Sequence, residues 1–510
     1  MTEEMSKAAA ARIADKSYKA AIDVLRSRRR GHRPNTDPLR LATLTPSIPE
    51  KNGRPQVKGL PSRMGMDNWL RRIGYSTSDV DNLNIIHVAG TKGKGSTCAF
   101  AESLLRAYGS RTGFPQKTGL YTSPHLISYE ERIRIDKAPI SRDLFAKYFF
   151  EVWDKLLATD EGENHLPRHF QLLALVSMHA FIREGVQAVV YETHHGGEYD
   201  ATNVIAKPIV TIVTSLGMDH VRQLGPGIEN IAWHKAGIFK EGADAFSAEQ
   251  DDIPAKVLRE RAEERQVSLE FVQDDKVLKG EEADQLKPDI QRRNCALALT
   301  AVKQFLKRTA PAKAGPMLQE DIRKGVKDFS WPGRFQLVED GNMRWFLEGA
   351  HNEMSITKAA EWFTELAKSD ENATRILVFN QISEEKDGAA IFSHLASSLA
   401  HVRIDHVLLT DYIKYEDFHG VSTEPLPEEQ PSKEGEAEHE GPTTDEMAEI
   451  WKRYQPNSKV VAEPGIESAL KTIEGLVVEG RRTQTLITGS LYLVGGALYY
   501  LEKQTGKRLS

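Results

Sequence analysis

The sequence predicts an α/β protein built on doubly wound parallel sheets. Three observations predict this class: short apolar runs rich in β-branched residues recur along the chain, helical patterns lie between many of them, and a glycine-rich turn joins the first run to a helix. Strands that alternate with helices favour parallel sheets, because each helix carries the chain back to the start of the next strand. We find no internal repeat or heptad pattern that would favour another architecture.

Residues 83–109, LNIIHVAGTKGKGSTCAFAESLLRAYG, predict the first strand, turn and helix. Ile85, Ile86 and Val88 are β-branched and favour a buried strand, and apolar residues at i, i+3, i+4 and i+7 from Ala101 favour a helix. In the turn, glycines let the backbone approach an anion. The free N–H groups of the helix start point at that anion with a favourable dipole.

The same turn carries side chains that suit phosphate. Lys94 would neutralise the outer phosphates, and the hydroxyl of Ser96 or Thr97 would assist phosphate or magnesium binding. The string is a GxxGKGS variant of the GxxxxGK[ST] pattern, because Gly95 follows Lys94. The segment therefore predicts a phosphate cradle; a tight glycine turn with an incidental lysine is the alternative.

Further strands and a hinge divide the rest of the chain. Apolar runs predict strands at residues 186–191, 209–216, 375–379, 406–409 and 485–487. The proline-glycine segment KDFSWPGRF precedes the second set of alternating elements, so we place a domain boundary at residue 330. We expect a P-loop, doubly wound, parallel-sheet ATPase domain over residues 61–330 and a smaller Rossmann-like α/β domain over residues 331–510.

Two segments are expected to stand apart from these domains. In the N-terminal arm, residues 1–60, helical spacing of Tyr18, Ile22 and Leu25 favours a short docking helix, and a solvated arm is the alternative. Residues 421–446 are rich in Pro, Glu, Gly and Ser and have too few aliphatic side chains to order themselves. They predict a disordered, solvated insertion in the second domain, with an acidic interaction loop as the alternative.

Composition excludes several classes of function. The chain of 510 residues has 67 basic and 73 acidic residues and a net charge of −6, which does not favour nucleic-acid binding. Cys98 and Cys295 have neither disulfide-framework nor zinc-site spacing, so a reducing compartment fits best. Neither an apolar run long enough for a membrane helix nor a secretory signal is evident. We expect a cytoplasmic monomer; a mitochondrial form is the alternative.

Polar residues follow two of the predicted strands at the point where each strand ends. Glu192 precedes a glycine-rich turn, and Asp219 and His220 follow another strand. Open α/β sheets place ligands at this edge, and a carboxylate with a neutral imidazole beside phosphate oxygens suits Mg²⁺. In isolation, Asp219 and His220 would be interpreted as a helix-capping turn.

Eight motifs carry a resemblance to a known family. GTKGKGSTCAF, LYTSPHLISYEERIRI, EYDATN, LGMDHVRQLG, IAWHKAGIFK, WPGRFQ, LEGAHN and LITGSLYLVGG occur in this order. Together they resemble the folylpolyglutamate synthase family of Mur ligases, especially its fungal branch, from about residue 18 to about residue 501. The resemblance implies ATP, Mg²⁺ and possible use of a monovalent cation as cofactors, and makes the second domain the ligase domain. It also implies small-molecule substrates, with neither a nucleic-acid nor a membrane partner.

The resemblance assigns roles residue by residue. It places ATP phosphates and nucleotide on Gly90, Thr91, Lys92, Gly93, Lys94, Gly95, Ser96, Thr97, Asn294, Arg334 and Glu348. It places magnesium on Ser123, Glu192 and His220. Lys235 matches a lysine that is carbamylated in relatives and then acts as an anion near a second magnesium, and His351 is a candidate for positioning the incoming amino acid or phosphate. Arg334 lies at the hinge, so domain closure would bring its charge to the phosphates.

The implied reaction joins a carboxylate to an amine. A substrate carboxylate attacks the γ-phosphate of ATP to give an acyl phosphate and ADP, and an amino group then attacks the acyl carbonyl. Lys94 and magnesium would offset the charge on the transferred oxygens. Lys94, Lys235 and His351 are thus the catalytic candidates.

The chain departs from the family pattern at two places. His194 and His195 follow Thr193 where relatives have a glycine and a hydrophobic residue, and Glu348 replaces an aspartate. These changes are either tolerated drift or the mark of a different substrate, with His194 and His195 shaping a new pocket or adding a metal ligand. Three functions stay open: a synthase adding L-glutamate to the γ-carboxylate of a folate, a diverged ligase for another acid and amine, and a nucleotide-binding scaffold without turnover.

Overall fold

The computed structural model describes residues 15–29, 62–159, 166–278, 280–284, 286–380, 388–410, 443–506 and 509. The chain divides into two compact units, Met1–Ser330 and Trp331–Ser510. The division falls within the proline-glycine segment from which the domain boundary was predicted.

The first unit is built on an eight-stranded sheet with the order β4-β3-β2-β5-β1-β6-β7-β8. Its strands are β1 Ile85–Ala89, β2 Thr118–Tyr121, β3 Ile133–Ile135, β4 Ala138–Pro139, β5 Ala188–Glu192, β6 Val210–Val213, β7 Asp244–Ala248 and β8 Leu269–Val272. Neighbouring strands from β2 to β8 are parallel, and β3 and β4 add an antiparallel edge. Every residue of β1, β5 and β6 is buried, because helices cover both faces of the sheet.

The helices of this unit begin with α1 Tyr18–Ser27, α2 Met66–Arg72, α3 Thr77–Asp81, α4 Lys94–Thr112, α5 Arg142–Ala158, α6 His169–Arg183 and α7 Val221–Leu224. They continue with α8 Ile228–Lys235, α9 Asp252–Glu264, α10 Asp274–Val277, α11 Glu281–Asp284, α12 Asp289–Thr309 and α13 Gln319–Lys327. The helix α4, which follows the glycine turn, is largely buried because it packs against α12 and α13 as well as the sheet. The chain's two cysteines, Cys98 on α4 and Cys295 on α12, are buried free thiols.

The second unit is built on a six-stranded sheet with the order β13-β12-β11-β14-β10-β9. Its strands are β9 Gln336–Asp340, β10 Met343–Glu348, β11 Thr374–Phe379, β12 His406–Thr410, β13 Lys459–Glu463 and β14 Thr483–Thr488. Its helices are α14 Glu353–Ala367, α15 Gly388–Ser398, α16 Thr444–Tyr454, α17 Ile466–Gly475 and α18 Leu491–Thr505. Only β9 among these strands pairs antiparallel, so the predicted α/β class is confirmed, with antiparallel strands at one edge of each sheet.

Two predicted segments lie mostly outside the described residues. Residues 421–442 of the acidic insertion are among those not described. The end of the predicted insertion is wrong, because Thr443 caps α16 and its side chain accepts a hydrogen bond from the backbone of Glu446. In the N-terminal arm, α1 buries its apolar face against α5 and α6, with Ser17 as its N-cap. Among the described residues, we find no helix with both the length and the apolar character that a bilayer crossing needs.

Candidate active site

The glycine turn after β1 is shaped by close contacts that exclude side chains. Gly90 and Gly93 have φ values of +152° and +83°, which L residues rarely adopt. A Cβ added to Gly90 would lie 1.8 Å from Oγ1 of Thr214, and a Cβ added to Gly93 would lie 2.5 Å from Oδ1 of Asn294. The turn therefore packs directly on the end of β6 and on α12, and Asn294, predicted as a nucleotide contact, lies beside it.

Hydrogen bonds hold this turn to the chain after β6. The backbone N–H groups of Thr91 and Lys92 donate to the carbonyl of Ser215 at 3.0 and 3.2 Å. In return, Thr214 Oγ1 donates to the carbonyl of Lys92 at 2.6 Å. Lys92 Nζ also lies 3.3 Å from a carboxylate oxygen of Asp219, so the GMDH segment is tied to the turn. The backbone is thus preorganised at the start of α4.

Two predicted site residues from the ends of different strands, Glu192 and Ser123, meet beside Lys94. The Lys94 ammonium, at the first position of α4, lies 3.8 Å from Oε1 of Glu192, whose side chain is 4% exposed. Oε2 of Glu192 accepts the backbone N–H of Ser123 at 3.1 Å. These contacts bring the ends of β2 and β5 to the phosphate turn.

This donor set fits a magnesium ion that is held largely by phosphate. Among the described residues, we find no group of three or more His, Cys, Asp and Glu side chains that could hold a metal. Mg²⁺ commonly keeps several water ligands and binds through one or two carboxylates and substrate phosphates. Glu192, with Ser123 beside it, suits that mode of binding.

His220 lies in the segment after β6, where the charge of Lys94 acts on its imidazole. It has φ +52°, a left-handed conformation that is uncommon for a residue other than glycine. Burial lowers the pKa of His220 to about 4, with Asp219 opposing the change and Lys235, Lys94 and Lys92 adding to it. The imidazole is therefore neutral at pH 7, which is the state that binds a metal.

Lys235, the predicted carbamylation site, lies under the glycine turn. Its side chain is buried, and its Nζ donates to the carbonyl of Gly90 at 2.6 Å. Burial and the neighbouring ammonium groups of Lys94 and Lys92 lower the pKa of Lys235 well below its usual value. A neutral amine is therefore accessible at this position.

His194 and His195 lie in opposite environments. His194 is buried, its Nε2 is hydrogen-bonded to the hydroxyl of Tyr121 at 2.6 Å, and its Nδ1 lies 3.3 Å from Oδ1 of Asp200. Asp200 also accepts the backbone N–H of His195 at 2.9 Å. Burial would raise the pKa of Asp200, but His194 and these hydrogen bonds hold it below its usual value. His195 as a whole residue is exposed, and its ring lies edge-on to that of His220, with ring centroids 4.6 Å apart.

Aromatic side chains that the sequence did not single out surround these histidines. The ring of Phe170 lies 4.7 Å from His194 and 5.4 Å from His195, measured between centroids. The guanidinium of Arg132 lies 5.9 Å from the ring centroids of both Phe170 and Tyr129. The sequence did not indicate this role for Phe170, because an aromatic residue in the first turn of a helix gives no signal of its own.

In the second unit, the predicted residues Arg334, Glu348 and His351 lie close together. Oε2 of Glu348 accepts the backbone N–H of Phe335 at 2.7 Å, and Oε1 lies 3.7 Å from Arg334 Nη1. Arg334 Nη1 also donates to the carbonyl of Gly349 at 3.2 Å, and Nδ1 of His351 lies 3.2 Å from the same oxygen. The longer glutamate thus reaches the hinge backbone from the end of β10.

Similar proteins identify the family. The Mur ligase middle domain model matches residues 88–301, and the dihydrofolate synthetase C-terminal domain model matches residues 333–500. Folylpolyglutamate synthase of Neurospora crassa is 40% identical over 462 residues, which cover 86% of this chain and 85% of that protein. The chain belongs to the folylpolyglutamate synthase family. The probable folylpolyglutamate synthase of Schizosaccharomyces pombe is 38% identical, covering 88% of this chain and 90% of that protein.

Solved structures of folylpolyglutamate synthases share the fold. The Mycobacterium tuberculosis enzyme complexed with ADP matches with a TM-score of 0.65 at 24% identity, over 88% of this chain and 95% of that chain. The Escherichia coli FolC structure in complex with DHPP and ADP matches with a TM-score of 0.63 at 23% identity, over 90% of this chain and 100% of that chain. The predicted family and two-domain fold are therefore confirmed.

The roles of individual residues in this folylpolyglutamate synthase family member stay predictions. The structure brings Lys94, Glu192 and Ser123 together, and it places Lys235 and Asn294 against the glycine turn. The expected monomeric state and cytoplasmic location also stay predictions. Asp200, in the EYDATN motif, accepts the backbone N–H of Thr202 and so holds this loop. An aspartate at the start of a short turn often has this role, and that pattern was the signal available in the sequence.

Proposed function

We propose that this protein is an ATP-dependent ligase that adds L-glutamate to the γ-carboxylate of a folate and releases ADP and phosphate. One observation carries the proposal: a member of the folylpolyglutamate synthase family retains a preorganised phosphate turn in which Lys94 lies beside a buried strand-end carboxylate. The matches to the Mur ligase middle domain in the first unit and to the dihydrofolate synthetase C-terminal domain in the second unit support this assignment.

In the first step, a carboxylate oxygen of the acid attacks the γ-phosphorus, and the bond to the β,γ-bridging oxygen breaks to give ADP and an acyl phosphate. The backbone N–H groups of the turn and Lys94 stabilise the charge on the transferred oxygens. In the second step, the amino group of glutamate attacks the acyl carbonyl, the C–O bond to phosphate breaks, and the departing phosphate takes up the proton that the amine loses. Bound magnesium would neutralise phosphate charge beside Glu192 and Ser123. The protein thus acts by positioning and charge, without a covalent intermediate on a side chain.

We propose that Lys235 is carbamylated in the working protein. A neutral amine adds to CO₂, and burial makes the neutral form accessible here. The product is an anion, which Lys92 and Lys94 would stabilise because both ammonium groups contribute to the electrostatic field at Lys235. The carbamate nitrogen keeps one N–H group, so it retains a donor for the carbonyl of Gly90.

A mass measurement tests this modification. We expect native mass spectrometry in bicarbonate buffer to show a mass increase of one CO₂ that is lost in the Lys235→Arg variant. Lys256→Arg is the matched control, because Lys256 is 76% exposed on α9. If the wild-type mass shows no added CO₂ with ATP and Mg²⁺ present, Lys235 acts as an amine and this proposal is wrong.

We propose that His194 and His195 help to select the acid substrate. His194 is held between Tyr121 and Asp200, and Phe170 contacts both histidine rings. His194 and His195 therefore lie between Phe170 and His220, at the edge of the sheet where Glu192 meets the phosphate turn.

Restoring the family pattern separates acid selection from nucleotide binding. We expect the double variant His194→Gly, His195→Ile to change the ratio of kcat/KM values for different acids while leaving ATP affinity nearly unchanged. The physical reason is that the hydrogen bonds that hold Thr91 and Lys92 in the turn run to Ser215 and Thr214, on the chain after β6. Titration calorimetry with a non-hydrolysable ATP analogue gives the affinity, and a large loss of ATP binding would contradict the assignment.

The function is tested by incubating the protein with ATP, Mg²⁺, L-glutamate and a tetrahydrofolate monoglutamate. We expect ADP release coupled to successive glutamyl additions in the product mass. Dihydropteroate is the second acid to test, since the C-terminal domain model is that of dihydrofolate synthetase. ADP release only with another acid or amine would identify a diverged ligase, and nucleotide binding without turnover would identify a scaffold.

A further inference from the structure

Helix α1 is bonded to the segment that follows β2. The hydroxyl of Tyr18 donates to Oε2 of Glu130 at 2.5 Å, and Oε1 of Glu130 accepts Nε of Arg142 at 3.0 Å. Burial and the facing Glu130 carboxylate raise the pKa of Tyr18, so its hydroxyl remains a donor. The residue before Glu130 is the buried Tyr129, whose hydroxyl accepts a hydrogen bond from Arg29 Nη2 at 2.5 Å.

The same helix holds the start of α6. The backbone N–H of His169 donates to the carbonyl of Arg28 at 3.0 Å, and Nδ1 of His169 lies 3.0 Å from the carbonyl of Leu25. Burial lowers the pKa of His169 to about 3, so the ring is neutral and Nδ1–H is the donor in that contact. The Arg28 guanidinium donates to the carbonyls of Leu166 and Pro167, each at 3.0 Å. The last turn of α1 is therefore joined to the α6 N-terminus by several bonds.

Tyr129 and His169, the two ring residues that this helix region contacts, belong to one aromatic cluster beside His194 and His195. The cluster consists of His125, Tyr129, His169 and Phe170. The Tyr129 ring centroid lies 4.4 Å from His125 and 5.8 Å from His169. Phe170 follows His169 directly and contacts His194 and His195. A continuous set of ring contacts thus runs from the residues held by α1 to the proposed acid-selecting side chains.

We propose that α1 and the two residues after it form a positioning element for the acid substrate. Its positioning residues are Tyr18, on α1, and Arg29, just beyond the end of α1. Tyr18 and Arg29 hold Glu130 and Tyr129, and through them the ring cluster, in the geometry that receives the acid. The glycine turn is held independently by Ser215 and Thr214, so α1 does not set nucleotide affinity. The inference rests on the proposed function, because it assumes that the acid binds beside this cluster.

The test compares variants of Tyr18, on α1, and of Arg29, just after α1, with a control variant of Lys19 on α1. Arg29→Ala and Tyr18→Phe each remove one hydrogen bond to the loop, and Tyr18→Phe keeps the edge-on ring contact with Phe145. Lys19→Ala removes the same charge as Arg29→Ala, but Lys19 is 55% exposed and pairs within the helix with Asp23. We expect each loop variant to raise the KM for the acid about fivefold, as the loss of one hydrogen bond implies. The KM for ATP should be unchanged, and Arg29→Lys should restore part of the acid KM.

Two results would overturn the inference. One is a lower melting temperature in Arg29→Ala and Tyr18→Phe with all KM values unchanged, which would show that α1 only stabilises the fold. The other is an equal rise in the KM for the acid in Lys19→Ala, which would show that the loss of any positive charge in this region, and not the loss of a hydrogen bond to the loop, causes the effect. A wild-type protein that binds folate without adding glutamate would contradict the proposed function instead; the variants' folate dissociation constants would still test the role of α1.

Discussion

Replacing Lys94 by alanine is expected to lower kcat/KM by about 10²- to 10³-fold, the usual effect of removing one donor that stabilises a developing oxyanion. Lys94 is the first residue of α4, and its ammonium lies 3.8 Å from the buried Glu192 carboxylate. Without it, the transferred phosphoryl oxygens lose a positive charge beside Glu192, whose side chain is 4% exposed. The measurement is the initial rate of ADP release at saturating acid and glutamate.

The control for this substitution is Lys256→Ala. Lys256 is 76% exposed on α9 and lies 3.8 Å from Glu260 on the same helix, so its loss should leave activity unchanged. Far-ultraviolet circular dichroism checks that Lys94→Ala is folded. Wild-type activity in folded Lys94→Ala would contradict the acyl-phosphate mechanism at this turn, as would AMP and pyrophosphate as products.

The second large effect is expected at Gly90. Its φ of +152° lies in a region that is nearly exclusive to glycine, and an added Cβ would lie 1.8 Å from Oγ1 and 3.0 Å from the backbone N of Thr214. The Gly90→Ala substitution therefore displaces Thr214, which holds the carbonyl of Lys92. Backbone strain and overpacking together should cost roughly 2 to 5 kcal/mol of unfolding free energy. We expect a lower melting temperature and a loss of measurable ATP binding.

The Gly113→Ala variant separates the effect of backbone strain from the effect of a steric clash. Gly113 ends α4 with φ +79°, and nothing lies within 4 Å of an added Cβ. This variant should lose only about 1 kcal/mol of stability and keep ATP binding. Thermal unfolding and calorimetry with an ATP analogue give both quantities. Equal behaviour of the two variants would show that contact with Thr214 does not shape the turn.

Local sequence patterns predicted the central strands well because those strands are buried on both faces. The strands β11 and β12 have apolar sequences and lie within one residue of their predicted ends, and the β-branched residues Ile85, Ile86 and Val88 lie in β1 as predicted. The run predicted over residues 209–216 was too long, since β6 is Val210–Val213. Its last residues leave the sheet because Thr214 and Ser215 bond to the glycine turn and the Leu216 N–H donates to Gln250. The two- and three-residue edge strands β4 and β3 are too short to show a periodic pattern.

The candidate site was only partly predictable for a similar reason. Glycines, lysines and strand-end carboxylates have local signatures, so the phosphate turn and Glu192 could be found in the sequence. The setting of His194 could not, because its partners Tyr121 and Asp200 lie on different elements and meet it only after β2 and β5 pair. Burial of His194 and exposure of His195 likewise follow from tertiary packing, which two adjacent identical residues do not reveal.

The burial of both cysteines has a practical consequence. Cys98 and Cys295 have no solvent-exposed surface, and burial raises the pKa of each thiol. Alkylating reagents attack the thiolate, so the folded protein offers them no reactive sulfur. A single cysteine introduced at an exposed position would then be the sole readily labelled site. Fluorophores or spin labels could be attached there without first removing the native thiols.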